Sequence, residues 1–108
     1  MAAGVNVCLG TDSILCQPAD EAQALGILPQ MRRLFVRDGT DPMLLLRMAT
    51  IHGARALCLG PLAATLQPDA PARVMAVRID PESEVDALTQ ALRSKVLGEG
   101  VYPSVDGA

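Results

Sequence analysis

Asp12 stands near the end of the stretch Val7-Cys8-Leu9-Gly10-Thr11-Asp12-Ser13. The run reads as a short strand leading into a small polar turn, because Gly and Asp favour a change of direction there. A carboxylate at the tip of a strand does acid–base work when it has company. Its bland alternative is a turn residue that hydrogen-bonds its own backbone. Company is scarce in this chain. It has one histidine, His52, and its three cysteines, Cys8, Cys16 and Cys58, form no CxxC pair. A zinc site built from those cysteines and His52 has no recognisable ligand spacing. Free thiols in a reducing compartment are the simpler reading, and the cytoplasm is the expected location. His52 itself reads as a structural or exposed helix residue. Arg47 and Arg55 read as surface or interface ion-pairing groups.

The totals bound what can position these groups. A chain of 108 residues holds one small domain. Half of it is hydrophobic, yet Phe35 and Tyr102 are its only aromatic residues, so a core must come from Leu, Val, Ala, Ile and Met. The formal net charge is -3, from 9 Lys+Arg against 12 Asp+Glu. With no basic block and no interleaved aromatics, nucleic acid is not an expected partner. No apolar run is long enough for a membrane span, and the N-terminus lacks the pattern of a secretory signal.

Along the chain, Val5, Val7 and Leu9 alternate with Asn6, Cys8 and Gly10 in a run that suits a buried strand. Asp20 could cap a helix starting at Glu21 and Ala22. Pro29 either separates two helices or starts the second in its first turn. Met31, Leu34 and Phe35 share a face, with Arg32, Arg33 and Arg37 directed elsewhere, and Asp38-Gly39 closes the helix. Thr40 or Asp41 caps the next, with Pro42 in its first position, and the pattern runs on to about Leu59 before Gly60-Pro61. That helix is apolar almost all round, which demands burial on more than one side. Gly53 within it is expected to let another backbone approach closely, and the methionines read as core filler. Arg73 to Ile79 reads as a strand. Ser83 is expected to cap an amphipathic helix that buries Val85, Leu88, Leu92 and Val96 and wets Glu84, Asp86, Gln90, Arg93 and Lys95. Gly98 and Gly100 end it, and Val101 to Val105 reads as a last short strand weakened by Pro103.

Two of these stretches resemble a known family when taken together. "AGVNVCLGTDS", Ala3 to Ser13, resembles the last barrel strand of the metal-dependent amidohydrolases. "DPMLLLRMATIHGARALCLG", Asp41 to Gly60, resembles the helix that follows in the branch holding cytosine and guanine deaminases, adenosine-type deaminases and triazine hydrolases. Their order and separation fit, and the match covers roughly residues 3 to 80. The family frame beyond Gly60 shows in Leu66, Pro68, Ala72 and Val74 to Val77, although Arg73 stands where the family commonly has Asp.

The resemblance implies an α/β fold: a fragment of a (β/α)8 amidohydrolase barrel, its last strand and following helices, plus part of the flanking β-sandwich. Residues 1–60 would be the C-terminal end of the barrel. Residues 61–108 would be a partial composite β-sandwich segment with a C-terminal helix. Asp12 would be both metal ligand and catalytic residue, passing a proton from water to the leaving group. Ser13 would line the same mouth without an assigned role, and the substrate-binding residues are unknown. The implied reaction is hydrolysis of non-peptide C–N bonds, with deamination of a small heterocyclic substrate foremost.

The intact family uses a divalent metal, zinc or iron. The HxH pair of the first strand and the later histidines have no counterpart in this sequence. The chain is therefore expected to be the last quarter of such an enzyme, beginning just before the eighth strand. Alone it is expected to be inactive, to bind no metal, and to self-associate through its apolar helix. The alternative is a stand-alone, metal-free binding or oligomerisation module derived from the enzyme.

Overall fold

The computed structural model describes residues 3–13, 26–60, 62–69, 74–93 and 101–102. Its elements in chain order are α1 (Ile27–Asp38), α2 (Pro42–Ala49), α3 (Ile51–Ala56), β1 (Val74–Met75), α4 (Ala87–Arg93) and β2 (Val101–Tyr102). The expected helix at Asp20, Glu21 and Ala22 lies outside the described residues, as do Cys16, Arg73, Lys95, Val96, Gly98, Gly100 and Pro103 to Val105.

Local chemistry sets most of these boundaries. Pro29 falls in the first turn of α1, where its missing N–H has no intrahelical acceptor to lose. Gly39 ends that helix in the left-handed region, at φ 62 and ψ 27, and its N–H returns to the Phe35 carbonyl at 3.1 Å. Asp41 caps α2 by accepting the Leu44 N–H at 2.9 Å, with Pro42 at the first helical position.

The single helix expected to run from Pro42 to about Leu59 is broken in two. The break is Thr50, at φ -123 and ψ -89. Its hydroxyl donates to the Leu46 carbonyl at 2.6 Å, and its N–H reaches Arg47 rather than Leu46. A threonine that back-bonds one turn down competes with the helix ladder and bends it. The Ala54 N–H then takes the Thr50 carbonyl at 2.9 Å and α3 resumes.

The strand expected over Arg73 to Ile79 is found only as Val74–Met75. It pairs antiparallel with Val101–Tyr102, Val74 opposite Tyr102 and Met75 opposite Val101. The last helix also begins later than expected. Ser83 accepts the Val85 N–H in a local turn, while Asp86 accepts both the backbone N–H and the hydroxyl of Thr89. Asp86 is thus the cap of α4, its two carboxylate oxygens accepting the backbone N–H and the hydroxyl of the same residue three positions on.

Gln90 is not on the wet side. Its amide accepts from the Asp80 N–H at 2.8 Å and donates to the Asp80 and Val85 carbonyls, closing residues 80–85 onto α4.

The buried core is small and sits where α1, α2 and α4 meet. Leu28 and Met31 come from α1, Leu45 from α2, and Ala91 and Leu92 from α4. Leu9, Leu34, Phe35, Ala49, Val77 and Leu88 pack around it. Arg32 lies on this contact, contrary to the expectation that it points elsewhere. Its Nε donates to the Ala91 carbonyl at 2.9 Å, so a guanidinium links α1 to α4. Desolvation holds its pKa below the ordinary arginine value. Its Nη2 is buried without a partner among the described residues, a cost that the core around it must offset.

Candidate active site

Residues 3–13 form no sheet pairing among the described residues. Val5 and Val7 are exposed, which corrects the buried strand expected there. The segment is held by helices instead. The Leu9 N–H donates to the Met48 carbonyl at 3.1 Å, at the C-terminal end of α2, where helix carbonyls lack intrahelical partners. The Leu9 side chain packs on the core beside that bond. One turn along, the Asn6 side-chain amide donates to the His52 carbonyl at 3.0 Å, and His52 Nδ1 lies 2.9 Å from the Val7 carbonyl. The two stretches that carry the family resemblance therefore lie side by side, joined by one backbone bond and by a clamp of Asn6, Val7 and His52.

Beyond Leu9 the segment turns. Asp12 is exposed and takes φ 55, the left-handed region that short polar side chains tolerate better than most. Thr11 and Ser13, on either side, are half-buried. The carboxylate is thus presented at the end of an anchored segment rather than folded into the core. A cleft of about 350 Å³ elsewhere is lined by Arg78, Ile79, Asp80, Ser83, Val85, Gln90 and Arg93. Its Asp80, Ser83 and Gln90 serve the turns that shape it, and Asp12 is not part of it.

The other chemistry-bearing residues are not gathered around Asp12. Cys8 and Cys58 are free and exposed. His52 is engaged with Val7. Among the described residues, no group of three or more His, Cys, Asp or Glu is placed to hold a metal ion. An exposed carboxylate suits one ligand position of zinc or iron, and a stable site needs three or four. The described residues do not complete such a site. Arg47 and Arg55 are both exposed.

Gly53 does not serve close packing: a Cβ there would meet the Met48 carbonyl oxygen at 3.8 Å, an ordinary contact. Asn6, which holds the segment to His52, and Asp86, which caps α4, were not singled out by the sequence pattern. An amide between Val5 and Val7 was the available signal, since a polar side chain in an apolar run needs a partner.

Comparison with known proteins places this geometry in context. A model described as the amidohydrolase family matches residues 1–97. No curated protein matches the chain, and no solved structure does. The match covers both the segment ending at the Asp12 turn and the helices it rests on.

Proposed function

Because the chain belongs to the amidohydrolase family, we propose that it is the C-terminal portion of a metal-dependent hydrolase acting on non-peptide C–N bonds, with deamination of a heterocyclic amine as its reaction. The observation that supports this most is the docking of residues 6–9 on Met48 and His52, which fixes the segment leading to Asp12 against the second stretch that resembles the family. A (β/α)8-type fold belongs to the family, and in such barrels the reacting groups sit at strand ends. Asp12, at the end of its segment, suits that place.

In this reading Asp12 contributes one carboxylate to a divalent metal, zinc or iron, whose other ligands come from outside the described residues. Such a metal supplies hydroxide near neutral pH when bound. Asp12 then does work of its own kind. It accepts a proton as the water oxygen bonds to the ring carbon, and returns that proton to the nitrogen as the C–N bond breaks and ammonia leaves. No second carboxylate, histidine or cysteine joins Asp12 in a metal-binding group among the described residues, and in this reading the chain alone is inactive. Its small core and exposed apolar residues on α2 and α3 are consistent with a surface made to be covered.

A second reading is a metal-free binding or oligomerisation module. It draws on the way α1, α2 and α4 close Leu28, Met31, Leu45 and Leu92 into one cluster without further chain. Expression of this chain together with the polypeptide encoded directly upstream, with zinc or iron(II) added, separates the two. The hydrolase reading expects an HxH pair upstream and ammonia release from pyrimidine, purine or triazine amines. Absence of both, with a cooperatively folded metal-free oligomer, would establish the module.

A further inference from the structure

The single histidine of the chain makes a contact whose chemistry fixes its protonation. His52 Nδ1 lies 2.9 Å from the Val7 carbonyl oxygen. A carbonyl oxygen only accepts, so the hydrogen must be on Nδ1. The same reasoning orients Asn6, whose side-chain nitrogen faces the His52 carbonyl at 3.0 Å. Residues 6 and 7 and residue 52 thus exchange two hydrogen bonds in opposite directions, across 46 and 45 positions of sequence. The Leu9–Met48 bond lies two residues further toward the turn. Three attachments are therefore made on the approach to Gly10, and the chain then enters the turn that carries Asp12.

We propose that His52, in its Nδ1–H tautomer and together with Asn6, is a positioning residue that sets where the Asp12 turn stands. The clamp rests on the coordinates of residues 6, 7 and 52 alone; that it serves catalysis rests on the hydrolase reading above. Fixing a reacting group through a neighbour's hydrogen bonds is how small displacements are kept from costing rate. Two features suit the pair to this work. His52 sits just past the Thr50 break, so it is carried by α3 while Leu9 is held by α2. The segment thereby spans both helices and fixes them to one another as well as to itself. Moreover, an imidazole whose Nδ1 donates to a backbone carbonyl keeps its ring plane and orientation, which a flexible chain would not.

The test begins with the unsubstituted chain labelled with 15N. Because there is one histidine, its two ring nitrogens are assigned without ambiguity. At about pH 8.5, above the ordinary imidazole range, the proposal expects a protonated Nδ1 and an unprotonated Nε2. A ring that is mainly Nε2–H, as in free histidine, overturns it.

Hydrogen exchange at Leu9 supplies the second arm. His52→Ala is expected to speed exchange of the Leu9 amide by about 10-fold or more, the scale of losing one or two net hydrogen bonds, and to move the Thr11, Asp12 and Ser13 amide resonances. His52→Asn places an amide nitrogen near the position of Nδ1 and is expected to restore both to within about threefold. His52→Gln, whose amide nitrogen falls nearer the position of Nε2, is expected not to restore them. Equal behaviour of the Asn and Gln variants overturns the positioning role. A correct tautomer and a rescued Leu9 amide, in a hydrolase whose Asp12→Asn variant keeps full activity, would leave the clamp standing and remove the catalytic reading.

Discussion

Leu9 and Met48 are joined by a backbone hydrogen bond of 3.1 Å that ties the approach to the Asp12 turn to the last turn of α2. A strand in a sheet would spend that N–H on a neighbouring strand. Here it satisfies a carbonyl at a helix end, and the Leu9 side chain reaches the core formed by Leu28, Met31, Leu45 and Leu92. The segment's place therefore depends on the core beneath it, and the core can be tested directly.

Leu45 is fully buried at 0% exposure, between α1 and α4. Leu45→Ala is expected to cost about 2–5 kcal/mol, the usual range for a buried leucine. In so small a core that loss is expected to abolish the cooperative transition in urea followed by circular dichroism. A change below about 1 kcal/mol would mean that the core lies elsewhere.

Gly53 is a glycine inside α3 with room for a methyl group, since the nearest atom to an added Cβ is 3.8 Å away. Gly53→Ala should raise stability by about 0.5–1 kcal/mol, through the smaller entropy lost on folding. The urea midpoint is the readout. A lowered midpoint would show that α3 needs the glycine.

Two carboxylates make stability depend on acid. The Asp86 carboxyl lies below its ordinary range because the Thr89 N–H, and then the Thr89 hydroxyl, bond to its charged form. The Asp38 carboxyl is lowered by the hydrogen bond from Arg37. A folded-state pKa below the unfolded one gives stability that is whole above the unfolded value and is lost as pH falls through the folded one. The melting temperature should thus be insensitive to these groups above about pH 5 and fall below about pH 4. Asp86→Asn keeps an acceptor for the cap but does not titrate, and should make the acid fall shallower. An unchanged acid limb would contradict this origin.

Helix α2 and the turn that follows α3 leave apolar side chains in water. Leu57 is 72% exposed, Leu59 53% and Met43 52%. Each fully buried aliphatic side chain gains about 1.5–3 kcal/mol, so a surface of this kind drives association. Sedimentation velocity of the chain should show concentration-dependent oligomers, and Leu57→Asp with Leu59→Asp should shift them toward monomer. A monomer at every concentration would contradict the exposed face as an association surface.

The sequence carried some of this and hid the rest for physical reasons. Asp41-Pro42 and Asp38-Gly39 announced their helix ends because caps act within one turn. The Thr50 break was not readable from periodicity. A threonine is compatible with a helix interior, and only its bond to Leu46 shows which way the competition went. The extended run at Val5 to Leu9 suggested a buried strand, and nothing in its pattern showed that it would bond to the helices after Pro42. That contact depends on Met48 and His52, about 40 residues away, and period-two alternation says nothing about what a strand pairs with. Asp12 stood out because polar turn chemistry is local. Its clamp partners, Asn6 and His52, did not, since each becomes meaningful only when the other is seen opposite.

The central claim is that the Asp12 carboxylate serves hydrolysis. Its most direct test is the rate of ammonia release from a heterocyclic amine by the metal-loaded hydrolase proposed to contain this chain, compared with its Asp12→Asn variant. Asparagine keeps the size of the side chain and its compatibility with the left-handed turn, but cannot take a proton. The account predicts that kcat falls by about 10²–10⁴-fold, the usual worth of a positioned general base. A variant that keeps its rate to within a few-fold would contradict it.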